Sequence, residues 1–126
     1  METESEYRTK VLTIFGTIDR VFENIDPDIA ECEQSQGALT IQFADRSRCI
    51  LSAQPSVRQL WVALASRGTA YHFDFDTTTQ TWLDDKGRGI ELIQFLEGFV
   101  KEQTGLSIQL KSNQAVPTAK SDSRKT

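Results

Sequence analysis

Six carboxylates fall within residues 19–33 of this chain: Asp19, Glu23, Asp26, Asp28, Glu31 and Glu33, with Arg20 the one base among them. Oxygen donors without imidazole or thiolate suit hard cations such as Fe(III), Fe(II), Mn(II), Ca(II) and Mg(II). The spacing is not that of a calcium-binding loop. With Asp26 and Asp28 in its first and third positions, Ala30 would stand fifth and Glu31 would replace the sixth-position glycine. Spread over the end of one element and the start of the next, the acids do not close a coordination cage. They are expected to bind cations weakly at several overlapping points. The same array would also serve as an electrostatic docking face for a basic protein.

Other groups give less. Asp84 with Asp85, and Asp74 with Asp76, read as turn chemistry and helix capping. His72 is the only histidine and has no nucleophile in a recognisable motif, so hydrolytic triads find no support; it reads as an exposed or satisfied strand residue. Cys32 and Cys49 with one histidine cannot supply a zinc site of the usual kind, and both read as reduced, buried thiols. No enzyme is indicated. Fe(II) oxidation at clustered carboxylates would be iron chemistry on a surface.

The elements that position the acids follow from periodicity. Thr3-Glu4-Ser5-Glu6 has the form of a capping box opening a helix. Tyr7, Val11, Ile14, Ile18, Val21 or Phe22, and Ile25 continue it as one apolar stripe, and Pro27 is expected to close it. Asp19, Glu23 and Asp26 then fall at the negative pole of the helix dipole, where each costs roughly 0.3–1 kcal/mol. Asp19 and Glu23 also repel each other at i,i+4. Local rules are broken here with no structural gain, which marks the stretch for function.

Beyond Pro27 the period becomes two. Alternation predicts strands at 29–33, with Glu31 and Glu33 facing solvent, then at 38–43, 48–52, 59–64, 71–75 and 82–83. A second helix follows Asp84-Asp85-Lys86-Gly87, with Ile90, Ile93, Leu96 and Val100 as its stripe, Glu97 outward, and Thr104-Gly105 as its end. Leu106–Leu110 alternates like a last edge strand. Gly16 and Gly98, inside the helices, are candidates for a close helix–helix crossing. The expected fold is α+β: a two-layer sandwich with two helices on one face of a five- to six-stranded antiparallel sheet, in the order α, five or six β, α, β. Residues 1–110 form the domain, and 111–126, without periodicity, are expected to be a disordered polar tail.

The net charge of −4 is unevenly spread. Residues 1–33 hold nine acids and three bases, whereas 111–126 hold four bases and one acid. An acidic body argues against nucleic acid and anionic membranes as partners, and for a basic protein or a cation. No secretory signal and no stretch long enough to span a bilayer is visible, so a cytoplasmic setting is expected.

In the strand Gln59–Leu64, the residues Leu60, Val62 and Leu64 share one phase, which leaves Trp61 for the open side of the sheet if the aliphatic phase faces the helices. With Gly37-Ala38-Leu39-Thr40-Ile41, Gln54-Pro55, Gln59-Leu60-Trp61-Val62-Ala63, Tyr71-His72-Phe73-Asp74 and Trp82, the chain over roughly residues 5–110 resembles the frataxin family, in its bacterial branch. The resemblance implies an iron-binding (Fe2+/Fe3+) accessory protein of iron–sulfur cluster assembly, docking on a cysteine desulfurase and the scaffold protein. It implies metal-ligating roles for Asp19, Glu23, Asp26, Asp28, Glu31 and Glu33, and a partner-binding face at Ser52, Gln54, Gln59 and Trp61. A monomer is implied, with self-association on iron left open. Arg20 and Asn24 stand where the family usually has further acids, and Ser52-Ala53 replaces an Asn and a basic residue, so the ridge is thinner and the scaffold contact altered. The residues by themselves leave a second reading open, a cation-responsive interaction adaptor not tied to iron.

Overall fold

The computed structural model describes residues 3–110. Helix α1 runs over Glu4–Phe22. Its first turn is held by the capping box: the Glu6 amide donates to Thr3 Oγ1 (3.1 Å) and the Thr3 amide to Glu6 Oε1 (2.8 Å). Six strands follow, β1 Ala30–Ser35, β2 Ala38–Phe43, β3 Arg48–Gln54, β4 Gln59–Leu64, β5 Thr69–Asp76 and β6 Thr81–Asp84. They form one antiparallel sheet in sequence order. Helix α2, Leu92–Thr104, closes the described fold. The two-layer α+β sandwich expected from the sequence is present.

Both helices cover the same face of the sheet. Leu39, Ile41, Phe43, Cys49, Leu51, Leu60, Val62, Leu64 and Phe73 point into the layer between sheet and helices, where α1 contributes Tyr7, Val11, Ile14, Phe15, Ile18 and Phe22, and α2 Leu92, Leu96, Phe99 and Val100. The alternate positions of every strand look away from the helices. The Tyr7 hydroxyl links the layers: it donates to the Gln59 carbonyl (2.6 Å) and accepts from the Gln54 amide (2.9 Å), gripping both sides of the β3–β4 connection. That connection and the one between β4 and β5 are single 3-10 turns, Pro55–Val57 and Ala65–Arg67, closed by left-handed Arg58 and Gly68.

Several details differ from the sequence expectation. Helix α2 begins only at Leu92, behind the Glu91 cap, so Ile90 precedes the helix and is not part of its stripe. Helix α1 ends at Phe22, not at Pro27, because its last bonds tighten to i→i+3, Asn24 to Val21 and Ile25 to Phe22. Leu106–Leu110 is not a strand; Leu110 is buried in the core shared with the helices, and its amide donates to Glu97 Oε2 (2.9 Å) instead of to a strand. Glu97 is therefore a tether and not a free outward group. The helix glycines mark no crossing: a Cβ on Gly98 would meet nothing within 4 Å, and one on Gly16 only the Arg20 guanidinium of its own helix. The expected tail lies outside the described residues.

Asp84, at the end of β6, organises the loop into α2. Its carboxylate takes the Arg88 Nε–H (2.8 Å) and the amides of Ile90, Lys86 and Arg88. The Arg88 guanidinium and these amides hold the Asp84 carboxyl below its ordinary value of 3.8. The helix cap itself is Glu91, whose carboxylate accepts from the Ile93 and Gln94 amides.

Two stability outcomes follow. Gly98→Ala removes a helix-interior glycine without a clash and should stabilise the protein by about 1 kcal/mol, read as a higher urea midpoint. A carboxyl with a depressed folded-state pKa adds stability above its unfolded pKa and loses it as pH falls through the folded value. Asp84→Asn should therefore lower Tm at pH 7 and flatten the loss of stability below about pH 4, measured by urea unfolding at a series of pH values.

Candidate functional site

The acidic residues converge on one border of the sandwich, where the end of α1 lies beside the edge strand β1. Asp19, in the last turn of α1, is half-buried and accepts from Gln34 Nε2 of β1 (3.3 Å). Glu23 is the C-cap residue of α1 and is exposed. Asp26 and Asp28 sit on the loop beyond it. The Asp26 carboxylate accepts the Asp28 amide (2.9 Å), and its carbonyl accepts the amides of Ile29 and Ala30, so this residue turns the chain into β1. Asp26 therefore stands past the helix end, and the dipole argument applies to Asp19 and Glu23 alone.

Asp19, Glu23 and Glu31 line one hollow of about 230 Å³, floored by Phe22, Ile25 and Cys32. Glu31 and Glu33 line a second, of about 210 Å³, with Thr40 and Gln42 on the side of the sheet away from the helices. Glu31 belongs to both because β1 is an edge strand and is reached from either face. Charged side chains on this strand also discourage edge-to-edge pairing with another chain. Among the described residues, no three carboxylate, thiol or imidazole groups come close enough to chelate a single ion. The arrangement offers one or two oxygens at a time along a negative ridge.

Cys32 lies under this ridge. Burial first, and then the adjacent Asp19 carboxylate, push its thiol up to about 12, and burial does the same for Cys49. In the absence of a metal, both thiols stay protonated near neutral pH. Both register with Ile41, Cys32 from one side and Cys49 from the other. A whole strand therefore separates them, beyond the reach of a disulfide.

The second group lies on the open face of the sheet. Register places Ala38, Ser52, Trp61 and His72 in one row across β2, β3, β4 and β5, and Gln54, Gln59, Asp74 and Leu83 in the next. Trp61 is half-buried and stands on this face, as its strand phase predicts. Its ring stacks on the His72 imidazole with centroids 4.2 Å apart and planes at 14°. The indole Nε1–H donates to Gln59 Oε1 (2.8 Å), while Gln59 Nε2 donates to Asp74 Oδ1 and Asp85 Oδ2, both at 3.1 Å. Asp85 Oδ2 is also 3.6 Å from His72 Nδ1. Ser52 and Gln54 are half-buried on the same face.

Sequence reasoning placed Trp61, Gln59, Gln54 and Ser52 together but left out His72, Asp74 and Asp85. The first two were available from alternation, since they share the open phase of β5. Asp85 was not: only the β5–β6 register, in which its amide donates to the His72 carbonyl (2.9 Å), brings it to the row.

A Frataxin-like domain model matches residues 1–106 of this chain. The chain belongs to the frataxin family. Curated relatives include the "Iron-sulfur cluster assembly protein CyaY" of Stutzerimonas stutzeri, 37% identical over 109 residues that make up 86% of this chain and 96% of that protein. The CyaY of Pseudomonas fluorescens is 35% identical over the same shares of both chains. Among solved structures, frataxin from Psychromonas ingrahamii superposes with a TM-score of 0.77 at 21% identity, covering 88% of this chain and all of that one. A trimeric yeast frataxin "complexed with ferrous" superposes at 0.63 and 20% identity, over 84% of this chain and 89% of that one. At these identities the structures speak for the fold alone. No helix among the described residues is long and apolar enough to cross a membrane.

Asp19→Asn combined with Glu23→Gln relieves the dipole conflict and the i,i+4 repulsion while keeping an acceptor for Gln34. The pair should add about 1 kcal/mol and raise Tm by roughly 5 °C, checked by calorimetry.

Proposed function

We propose that this chain is an iron-binding accessory protein of iron–sulfur cluster assembly in the bacterial cytoplasm. It docks on a cysteine desulfurase and its scaffold protein through the α1–β1 ridge and the open sheet face, and it tunes their reaction instead of catalysing one. The observation that carries this reading is the ridge itself: carboxylates held against a helix dipole and along an edge strand, at a cost in stability that the fold does not need. Membership of a family whose curated bacterial relatives are named for iron–sulfur cluster assembly supports the setting.

Iron is bound weakly and superficially in this reading. Asp19, Glu23 and Glu31 are the ridge ligands, with Asp26, Asp28 and Glu33 extending it on either side. Such sites exchange quickly and leave the fold unchanged, and the protein works as a monomer. Ser52, Gln54, Gln59 and Trp61 form the partner-docking face. A half-buried aromatic among polar neighbours is a typical binding anchor, because it excludes water over a large area with few rotatable bonds. The ridge supplies steering toward a basic partner, and Trp61 supplies contact.

Fe(II) or Fe(III) added to isotopically labelled protein should shift backbone amide signals at residues 19–33, in fast exchange, with an affinity of about 1 mM or tighter. Shifts confined to other parts of the chain would refute the metal assignment, and an equal or stronger response to Ca(II) would favour an adaptor not tied to iron. Trp61→Ala should change the unfolding free energy by less than about 1 kcal/mol and weaken binding to the desulfurase–scaffold complex about tenfold. A loss of several kcal/mol would instead make Trp61 a core residue.

A further inference from the structure

Gln59 is the hub of the open face, and its orientation is dictated by chemistry. A primary amide presents a donor end and an acceptor end that differ little in shape, so which end points where is decided by its neighbours. Here the Trp61 indole offers only an N–H, and Asp74 and Asp85, as ionised carboxylates, offer only acceptors. Gln59 satisfies all three in one orientation: Oε1 toward the indole at 2.8 Å, Nε2 toward the two carboxylates at 3.1 Å each. Turned over, it would set NH2 against N–H and carbonyl against carboxylate, so all three bonds would be lost together.

Resting on the docking role of Trp61 proposed above, we infer that Asp74 and Asp85 are positioning residues. They clamp the Gln59 amide so that the Trp61 indole is held upright against His72 before a partner arrives. The register supports this. Asp74 is the direct cross-strand partner of Gln59 on β5, and Asp85 follows β6 at the level of His72, so two different elements deliver carboxylates to one amide nitrogen. The charge of these acids is thus used inside the face. An indole fixed in one rotamer loses less freedom on binding than a mobile one, so the clamp acts on affinity by preorganisation. The turn role that the sequence suggests for the pair Asp84 and Asp85 divides cleanly: Asp84 builds the loop, and Asp85 reaches the sheet.

The test has two readouts. In the free protein, the indole N–H resonance of Trp61, assigned by its absence in Trp61→Phe, should move in Asp74→Ala/Asp85→Ala. It should stay near its original position in Asp74→Asn/Asp85→Asn, where each side chain still offers an amide oxygen to Gln59. In binding to the desulfurase–scaffold complex, the double alanine variant should lose about tenfold in affinity. In the Trp61→Phe background, which has no indole N–H to orient, the same change should cost less than about twofold. An unmoved indole signal, or equal losses in both backgrounds, would overturn the inference. If Trp61→Ala leaves binding unchanged, the docking reading fails first, and the indole signal still decides whether the clamp exists.

Discussion

The structure depends on one constraint: a six-stranded antiparallel sheet with only enough helix to cover one face. Strand alternation then sorts every residue of β1 to β6 into two populations. Leu39, Leu51, Leu60, Val62 and Phe73 are sealed under α1 and α2. Ser52, Gln54, Gln59, Trp61, His72 and Asp74 face outward. With the core complete on one side, the open face is available for polar and aromatic groups. The Tyr7 hydroxyl, bonded on both sides of the β3–β4 connection, fixes the helix layer to the sheet and so fixes which phase is which.

The acidic ridge arises from the same geometry at a border. The first strand has one hydrogen-bonded neighbour, so its outer side is reached by solvent from both faces and Glu31 serves two hollows. The last turn of α1 lies beside it and brings Asp19 and Glu23. Neither side chain is placed where a helix favours it, and Asp19 further raises the cost of ionising the Cys32 thiol beneath it. Ridge and open face meet along β1, where Glu33 turns toward the sheet face, so one partner can contact both at once.

Much of this was legible in the sequence, and the reasons are local. A capping box, a 3.6-residue stripe and strict alternation need only neighbours in the chain to be read, and Thr3–Glu6, the stripe from Tyr7 to Phe22 and the phase of Trp61 stand as expected. What failed needed tertiary information. Pro27 restricts only the residues next to it, and α1 had already ended at Phe22 and tightened into 3-10 bonds at Asn24 and Ile25. Leu106–Leu110 has the alternation of a strand, but Leu110 is buried in the core shared with the helices, and Glu97 takes its amide in place of a neighbouring strand. Gly98 faces open space, and helix glycines carry no sign of what faces them. His72 was legible as an outward residue but not as the platform under Trp61, because stacking requires the β4–β5 register.

The central claim is that the ridge carboxylates guide a basic partner onto this face. It is tested most directly by the salt dependence of the association rate with the desulfurase–scaffold complex, for the wild type and for a variant with Asp19, Glu23, Glu31 and Glu33 changed to their amides. Between about 50 and 300 mM salt the wild-type rate should fall at least tenfold and the variant rate hardly at all. Equal salt dependence in the two proteins would contradict the account.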